Sequence, residues 1–297
     1  MTDNASRPAR SWMFVPGNKE RFLVKAAESD ADCVLLDLED GVLPDAKEAG
    51  RAMVAQALRL PFRPQRYVRL NAVATPWFDE DLAAVIPAAP DGVCLPKCAD
   101  PGEVAAVAAR IGDLERAASL PPGSTRIVAA IESPAAVLRA AEIARAHPRM
   151  IALMLGAEDL ALEIGLGTAR EAEAAELVFA RSAVVYAAAA AHILSIDGVF
   201  PDLDNPGGME RDALQARRLG FTAKSTFNPR QIEAINQVFS PRPDEIAYAR
   251  KVVAAFEDAE RLGNASVAVG GQLVDRPIVQ RAQRLLELAG ALGAGTR

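Results

Sequence analysis

The chain has 297 residues, 51% of them hydrophobic and 24% charged, with a formal net charge of −6. This length can bury a large core, and the acidic balance argues against nucleic acid as the main partner. The opening residues MTDNASRPARSW lack the apolar segment of a signal peptide, and the most apolar helical stretch, 183–194, is too short to cross a membrane. We therefore expect a cytoplasmic protein with no membrane partner.

Eight short apolar runs alternate with amphipathic helical patterns, which is typical of βα units around a parallel sheet. The runs cover 11–15, 33–38, 66–70, 92–96, 126–131, 150–155, 194–200 and 221–227. Helical periodicity covers 18–29, 45–60, 101–118, 133–146, 171–192 and 210–220. Eight units over this length predict an α/β fold, a (β/α)8 TIM barrel that occupies residues 1–240.

Residues 241–297 are predicted to form a C-terminal helical extension. A long helix reaches about Leu262, a glycine-containing stretch VAVGGQLVDRP follows, and a last helix ends the chain. This segment is too short for a separate domain, so we expect it to pack on the barrel or on an adjacent subunit.

The cysteines and histidines exclude several kinds of chemistry. Cys33, Cys94 and Cys98 are too few for a disulfide framework and lack the second pair of a zinc site, so they are expected to be reduced thiols. His147 and His192 fall near helix ends just before the next strand. Because a barrel's active site lies at the opposite ends of the strands, a catalytic histidine and a Ser-His-Asp triad are both disfavoured.

Polar side chains follow most of the apolar runs, where the active site of a TIM barrel lies. They are mainly carboxylates, with two lysines and one arginine: Asn18, Asp37, Glu39, Asp40, Arg69, Asn71, Lys97, Glu132, Glu158, Asp159, Asp197, Lys224 and Asn228. Oxygen ligands without imidazole or thiolate suit a hard cation, Mg²⁺ first and Mn²⁺ or Ca²⁺ next.

Glu132 and one acid of the pair Glu158 and Asp159 follow the fifth and sixth runs. Because these strands would be neighbours in a barrel, we expect the two carboxylates to reach one metal ion. The alternative for each acid is a place in the first turn of a helix, where it meets the positive end of the helix dipole.

Two cationic positions have open interpretations. Arg69 lies in an apolar strand, where it either binds an anionic substrate with two parallel hydrogen bonds or forms an internal salt bridge to Asp37 or Glu39. Lys224 faces either a phosphate or a carboxylate. Asn228 and the proline after it are explained as a helix N-cap and first helical residue.

The chain resembles the citrate lyase beta-subunit-like family, part of the wider HpcH/HpaI aldolase group of metal-dependent TIM barrels. The resemblance rests on segments in the right order over nearly the whole chain: RSWMFVPGN (10–18), DCVLLDLEDGV (32–42), YVRLNA (67–72), AAIESPAAV (129–137), LMLGAEDLALEIG (153–165), IDGVFPDLDN (196–205), LGFTAKSTFNPRQI (219–232) and GGQLVDRPIVQRA (270–282).

This resemblance implies carbon–carbon bond cleavage in 3-hydroxyacyl-CoA thioesters such as citryl-, malyl- or citramalyl-CoA, giving acetyl-CoA and a 2-oxo acid. Its motifs assign the metal, Mg²⁺ or Mn²⁺, to Glu132 and Asp159 and the substrate to Arg69. The backbone of Gly156, Ala157 and Glu158 would hold the carboxylate of the oxo acid. The remaining catalytic assignments are two carboxylates near the metal waters and one acid that acts in an adjacent subunit: Asp37, Glu39 and Asp275.

An acid shared between subunits implies a homo-oligomer, a trimer or a hexamer. One departure from the family is Asn228, where relatives often have histidine, which leaves open whether this loop contacts CoA. Three other functions remain open: a malyl-CoA thioesterase or malate synthase-type enzyme on the same site, an aldolase for free 2-oxo acids, and a non-autonomous beta subunit that works with an acyl-carrier protein. The aldolase usually needs a histidine in its site, which counts against it.

Overall fold

The computed structural model describes residues 9–167 and 174–293. In these residues the chain divides into two compact units, 9–236 and 237–293. The larger unit contains the sheet and most of the helices, and the smaller unit contains two long helices and a hairpin.

The larger unit is a closed barrel of eight parallel strands that follow one another in chain order. The strands are β1 (Ser11–Pro16), β2 (Cys33–Asp37), β3 (Gln65–Arg69), β4 (Gly92–Leu95), β5 (Arg126–Ile131), β6 (Met150–Leu155), β7 (Leu194–Asp197) and β8 (Ala223–Thr226). Pairing of β8 with β1 closes the barrel. All eight predicted strands are present, and the (β/α)8 fold class is confirmed.

The last two strands are shorter than the apolar runs predicted. β7 ends at Asp197 rather than at residue 200, and β8 covers four residues of the predicted seven. After Asp197 the chain leaves the sheet, and the Gly198 carbonyl accepts a hydrogen bond of 2.7 Å from the Lys224 ammonium. The Lys224 side chain therefore takes the place of the backbone N–H that would bond to this carbonyl if β7 continued.

Helices follow most strands. In the larger unit they are α1 (Glu20–Ala27), α2 (Lys47–Ala57), α3 (Phe78–Val85), α4 (Pro101–Ala117), α5 (Pro134–Leu138), α6 (Ala140–Ala144), α7 (Ala157–Glu163), α8 (Val178–Ala191) and α9 (Pro206–Leu219). α10 (Ile232–Val238) follows β8. The single helix predicted over 133–146 was wrong, because Arg139 interrupts it with φ −108° and ψ 9°. The first three residues of the helical pattern at 171–192 lie outside the described residues.

Four helical segments begin with the same capping pair, a polar N-cap followed by proline. Ser133 accepts a hydrogen bond from the Ala136 N–H at 3.1 Å and starts α5 immediately after Glu132. Asp100, Asn205 and Asn228 act in the same way before α4, α9 and a short 3-10 turn. Because the proline has no N–H to satisfy and its φ suits a helix, each segment starts at a fixed residue. The predicted capping role of Asn228 is confirmed.

Alternate residues of the strands fill the barrel interior. Trp12 and Tyr67 are both buried, and their ring centroids lie 4.6 Å apart. They belong to one apolar cluster with Phe14, Cys33, Leu35, Cys94, Val128, Ala130, Ala152, Met154, Ile196, Val199 and Ala223. The interior is therefore a packed core, and chemistry is confined to its ends.

The smaller unit has its own apolar core between α11 (Pro243–Arg261) and α12 (Arg276–Ala291). The glycine-containing stretch was not predicted to be regular, yet it forms an antiparallel hairpin of β9 (Val267–Val269) and β10 (Gln272–Val274). Gly270 and Gly271 have φ of +59° and +79°, which suits the tight turns that connect such strands. Over the described residues, no helix combines the length and apolarity needed to span a membrane.

Candidate active site

Charged residues gather where the carboxyl ends of β2 to β6 meet, as the sequence predicted. Asp37 and Arg69 are the last residues of β2 and β3, and they are direct neighbours in the strand register. Lys97 follows β4 and Glu132 follows β5. Asp159 lies in the first turn of α7, after β6. The barrel thus brings residues from five consecutive strands to one end.

Arg69 forms the internal salt bridges that the sequence left open. Its Nε and Nη2 donate to the two carboxylate oxygens of Asp37 at 2.7 and 2.8 Å, and its Nη1 lies 3.0 Å from Glu39 Oε2. The guanidinium also lies over the Phe14 ring at 4.7 Å. A guanidinium has five N–H donors, and these contacts use three of them. Two donors therefore remain to bind an anionic oxygen.

Asp37 is occupied by the protein itself. Besides Arg69, its carboxylate accepts the backbone N–H groups of Glu39 and Gly41, both at 2.9 Å. These bonds fold the loop after β2 around the carboxylate. The side chain therefore positions both the loop and Arg69.

Glu39 is buried, and among the described residues its carboxylate pairs with two cations. Its two oxygens lie near Arg69 and near Lys97 Nζ, at 3.0 and 2.8 Å, and neither accepts a well-directed hydrogen bond. Burial raises the pKa of this carboxyl, against the opposing effect of Arg69. A buried carboxylate with unsatisfied acceptor capacity is suited to hold water or ligand donors.

Lys47 supports this loop and was missed by the sequence reasoning. Its ammonium is buried and donates to the carbonyls of Leu38 and Glu39, both at 2.7 Å. Burial lowers the pKa of this amine. A lysine at the start of an amphipathic helix is usually solvated, so the sequence carried no signal of this role.

Glu132 lies against the start of α7. Its Oε2 accepts a hydrogen bond of 3.0 Å from the Lys97 N–H, and a Cβ at Gly156 would lie 2.1 Å from its Cγ. Gly156 is therefore required for this carboxylate to occupy its place. The Gly156 N–H donates to the Ile131 carbonyl at 3.0 Å. This N–H was one of the backbone groups predicted to hold the carboxylate of the oxo acid, and it is already used within the protein.

The surroundings of Glu132 disfavour the negatively charged form of its carboxyl group. Burial, together with the charges of Glu39 and Asp159, raises the pKa of Glu132 to about 7 against the lowering effects of the Lys97 N–H and Arg69. Asp159 is half-buried, whereas Glu158 is exposed. The side chain of Asp159, rather than that of Glu158, shares the electrostatic environment of Glu132.

The residues present fit a divalent cation. With every carboxyl ionised, five carboxylates against three cations leave a formal charge of −2 at this end of the barrel; they are Asp37, Glu39, Asp40, Glu132 and Asp159 with Arg69, Lys97 and Lys47. In the described residues no group of three or more His, Cys, Asp and Glu side chains is arranged to hold a metal. Mg²⁺ commonly takes only one or two protein carboxylates and keeps water or substrate oxygens in its other positions.

Lys224 faces protein carboxylates. Its ammonium donates to Asp197 at 2.6 Å and to Asp212 at 2.5 Å, and Arg181 pairs with both acids. All four side chains are buried. The network is internally compensated, so Lys224 is not placed to bind a phosphate.

The two histidines lie as predicted, away from the site, whereas Cys94 and Cys98 lie beside the charged residues. His147 precedes β6 and accepts the Arg149 N–H at 3.1 Å, while His192 caps the C-terminus of α8 with φ +57°. Both are at the opposite ends of the strands. The three cysteines are free and buried.

Asp275 lies in the smaller unit, at the N-cap of α12. It is exposed, and its side chain accepts the Ile278 N–H at 3.3 Å. Its predicted role in the active site of an adjacent subunit remains a prediction.

Comparison with known proteins shows the family of this chain. The citrate lyase subunit beta of Leuconostoc mesenteroides subsp. cremoris is 39% identical over 97% of this chain and 95% of its own. A (3S)-malyl-CoA thioesterase of Cereibacter sphaeroides is 36% identical over 97% of both chains. The crystal structure of CitE from Mycobacterium tuberculosis in complex with magnesium, acetoacetate and coenzyme A superposes with a TM-score of 0.78 at 32% identity, covering 96% of this chain and 99% of that one. The family model for HpcH/HpaI aldolase/citrate lyase matches residues 10–229. The resemblance predicted from the sequence motifs is confirmed, and the chain belongs to the HpcH/HpaI aldolase/citrate lyase family.

Proposed function

We propose that this protein is a Mg²⁺-dependent carbon–carbon lyase that cleaves a 3-hydroxyacyl-CoA to acetyl-CoA and a 2-oxo acid. The observation that carries the proposal is the site charge of −2 around a buried arginine with two unused donors. Magnesium is bound in the related M. tuberculosis CitE structure, which also contains coenzyme A. The substrate class and the metal are consistent with that relative.

Glu132 and Asp159 would hold the metal. When bound, Mg²⁺ supplies Lewis-acid stabilisation to the substrate hydroxyl and the carboxylate beside it. The fit rests on Gly156, which leaves the space that the Glu132 carboxylate needs, and on the unmatched negative charge of the cluster. Asp37 and Glu39 position Arg69 through their ion pairs with its guanidinium.

The reaction breaks the bond between the hydroxyl-bearing carbon and the carbon next to the thioester. The hydroxyl gives its proton to solvent water and becomes the carbonyl of the 2-oxo acid, and the electron pair of the broken bond moves into the thioester enolate, which later takes a proton back. Arg69 can donate its two remaining N–H groups to the oxygen that carries negative charge. Protonation of the enolate carbon completes acetyl-CoA, and Asp275 of an adjacent subunit is our candidate for that proton transfer.

A thioesterase is the second candidate, because a malyl-CoA thioesterase is 36% identical to this chain over 97% of its length. The same residues would then direct water to the thioester carbonyl, leaving the carbon–carbon bond intact. A third candidate is a beta subunit that accepts its thioester from an acyl-carrier protein, because citrate lyase beta subunits are 39% identical. An aldolase for free 2-oxo acids is disfavoured, since both histidines lie at the far ends of the strands.

The test is turnover of the purified protein with malyl-, citramalyl- and citryl-CoA, with Mg²⁺ and with EDTA, followed by mass spectrometry of the products. We expect acetyl-CoA and a 2-oxo acid that form only with Mg²⁺ and reappear when Mg²⁺ is restored after chelation. Free CoA with an intact hydroxy acid would replace the lyase by a thioesterase. Absence of turnover on every free thioester, with turnover on a carrier-protein thioester, would favour the complex subunit.

A further inference from the structure

Lys97 makes two separate contacts with the carboxylates of the site. Its backbone N–H donates to Glu132 Oε2 at 3.0 Å, and its ammonium lies 2.8 Å from Glu39 Oε1 and 3.7 Å from Asp40. The side chain is 46% exposed, whereas that of Arg69 is 9% exposed. The backbone of Lys97 is therefore part of the site whatever its side chain does, and the side chain has room to move.

The backbone of Lys97 is held in an unfavourable conformation. Its φ is +52°, in the left-handed region where glycine or asparagine is easily accommodated and other residues are strained. Glycine would provide the same N–H to Glu132 at lower conformational cost. Lysine nevertheless occupies this position, and its ammonium reaches the buried carboxylate of Glu39.

The charge of the site gives the ammonium two different environments. Without a divalent cation, the ammonium of Lys97 and the guanidinium of Arg69 both pair with Glu39. With a divalent cation the formal site charge of −2 is neutralised, and the attraction that holds the ammonium on Glu39 is weakened. The carboxylate of a bound substrate then attracts the Lys97 ammonium more strongly than Glu39 does.

We propose that Lys97 is a substrate-binding residue whose ammonium pairs with Glu39 in the metal-free protein and transfers to the carboxylate of an anionic 2-oxo or hydroxy acid once the metal is bound. This inference rests on the proposed function for its metal and substrate class. Lys97 and Arg69 would both bind the anion, Lys97 through its mobile ammonium group and Arg69 through its fixed planar guanidinium group.

The proposal predicts opposite effects of one substitution on two binding equilibria. In Lys97→Met the carboxylates lose a competing cation, so Mg²⁺ should bind roughly tenfold more tightly by calorimetry at low salt. In the Mg²⁺-loaded variant, oxaloacetate should bind roughly tenfold more weakly, because a charge-assisted contact is missing. Lys97→Arg, which keeps the charge, should stay close to the unsubstituted protein in both titrations.

Lys25→Met is the control for net charge, because Lys25 is an exposed residue near the end of α1. It should change neither equilibrium. Equal Mg²⁺ affinity in Lys97→Met, or a change of both affinities in the same direction, would overturn the proposal in favour of a purely structural lysine. Because both readouts are binding, a protein that binds Mg²⁺ but cleaves no thioester would refute the proposed lyase and still decide the role of Lys97.

Discussion

Gly156 and Glu132 fit together so closely that a single added methyl group would collide with the carboxylate side chain. A Cβ at residue 156 would lie 2.1 Å from Glu132 Cγ and 2.7 Å from its Oε1. The φ of Gly156 is −93°, which any residue can adopt, so the glycine is needed for space rather than for backbone freedom. The fold has kept the residue after β6 small to make room for the acid after β5.

We therefore predict that Gly156→Ala displaces Glu132 and abolishes high-affinity Mg²⁺ binding. The backbone conformation is permitted, so the barrel should remain folded, with a stability loss of about 1–3 kcal/mol from overpacking. Calorimetric titration with Mg²⁺ and circular dichroism measure the two effects. Gly112→Ala in α4 is the matched control, since its Cβ would meet only side-chain atoms at 3.6 Å or more. Unchanged Mg²⁺ affinity in Gly156→Ala would show that Glu132 is not a metal ligand.

Glu132→Gln tests the same carboxylate without a change in size. The amide cannot supply the negative charge that a hard cation requires, so Mg²⁺-dependent turnover should fall by at least 10²-fold. The Lys97 N–H keeps an oxygen acceptor, and the thermal midpoint should not decrease. If the variant kept full activity, the metal assignment would be wrong.

The Glu115–Arg149 pair at the other end of the barrel predicts a specific acid sensitivity. Burial would raise the pKa of Glu115, but hydrogen bonds from Arg149 and two backbone N–H groups lower it from 4.5 to about 2. A carboxyl with a lowered folded-state pKa stabilises the fold above its unfolded pKa, and this contribution disappears as the pH falls from about 4.5 towards 2.

Glu115→Gln should consequently destabilise the protein by about 3 kcal/mol at neutral pH, because Arg149 is left buried without its counter-ion. The difference from the unsubstituted protein should shrink below about pH 4.5. Urea unfolding at pH 7, 5 and 3.5 measures it. Asp113→Asn removes an exposed partner of Arg116 and should change stability by less than about 1 kcal/mol at each pH. A pH-independent loss in Glu115→Gln would contradict the linkage.

Lys224→Met should destabilise the protein more than Lys97→Met does. It leaves Asp197 and Asp212 buried with only Arg181 between them, which costs about 3–5 kcal/mol. Lys97→Met removes a half-exposed ammonium and should cost far less. Thermal unfolding of the two variants side by side measures the contrast, and equal midpoints would mean that the buried network contributes no net stability.

The barrel was predictable because each strand is buried on both faces and therefore reads as an unbroken apolar run, with an amphipathic helix after most of them. The positions of the site carboxylates followed from chain order, since residues after consecutive strands of a barrel must meet. What each charge does there was less accessible. The sequence left open whether Arg69 binds substrate or forms a salt bridge. Because Asp37 and Arg69 are neighbours in the strand register, the salt bridge forms.

Other features depended on contacts that no local pattern encodes. Helical periodicity runs through Arg139 without a break, so the interruption between α5 and α6 was missed. The sequence left open whether Lys224 binds a phosphate or a carboxylate. Its partners, Asp197 and Asp212, are brought to it by the packing of α9 against β7. The left-handed backbone of Lys97 likewise has no sequence signature, since lysine carries no preference for it.

Asp275 provides the last prediction, because its capping and catalytic roles can be separated. Its carboxylate caps α12, and asparagine caps helices about as well as aspartate. Asp275→Asn should therefore keep the stability of the protein while turnover falls by at least 10²-fold, since an amide cannot transfer the proton. Kinetics and thermal unfolding measure the two roles.

Mixing two inactive variants decides whether the acid acts across subunits. If Asp275 serves the site of a neighbour, oligomers reassembled from Asp275→Asn and Glu132→Gln chains contain some sites with both native residues, and activity should reappear. If both residues serve the same chain, every site in the mixture carries a defect and activity stays absent. Asp275→Asn mixed with itself is the matched control, and full activity of Asp275→Asn alone would remove this residue from the mechanism.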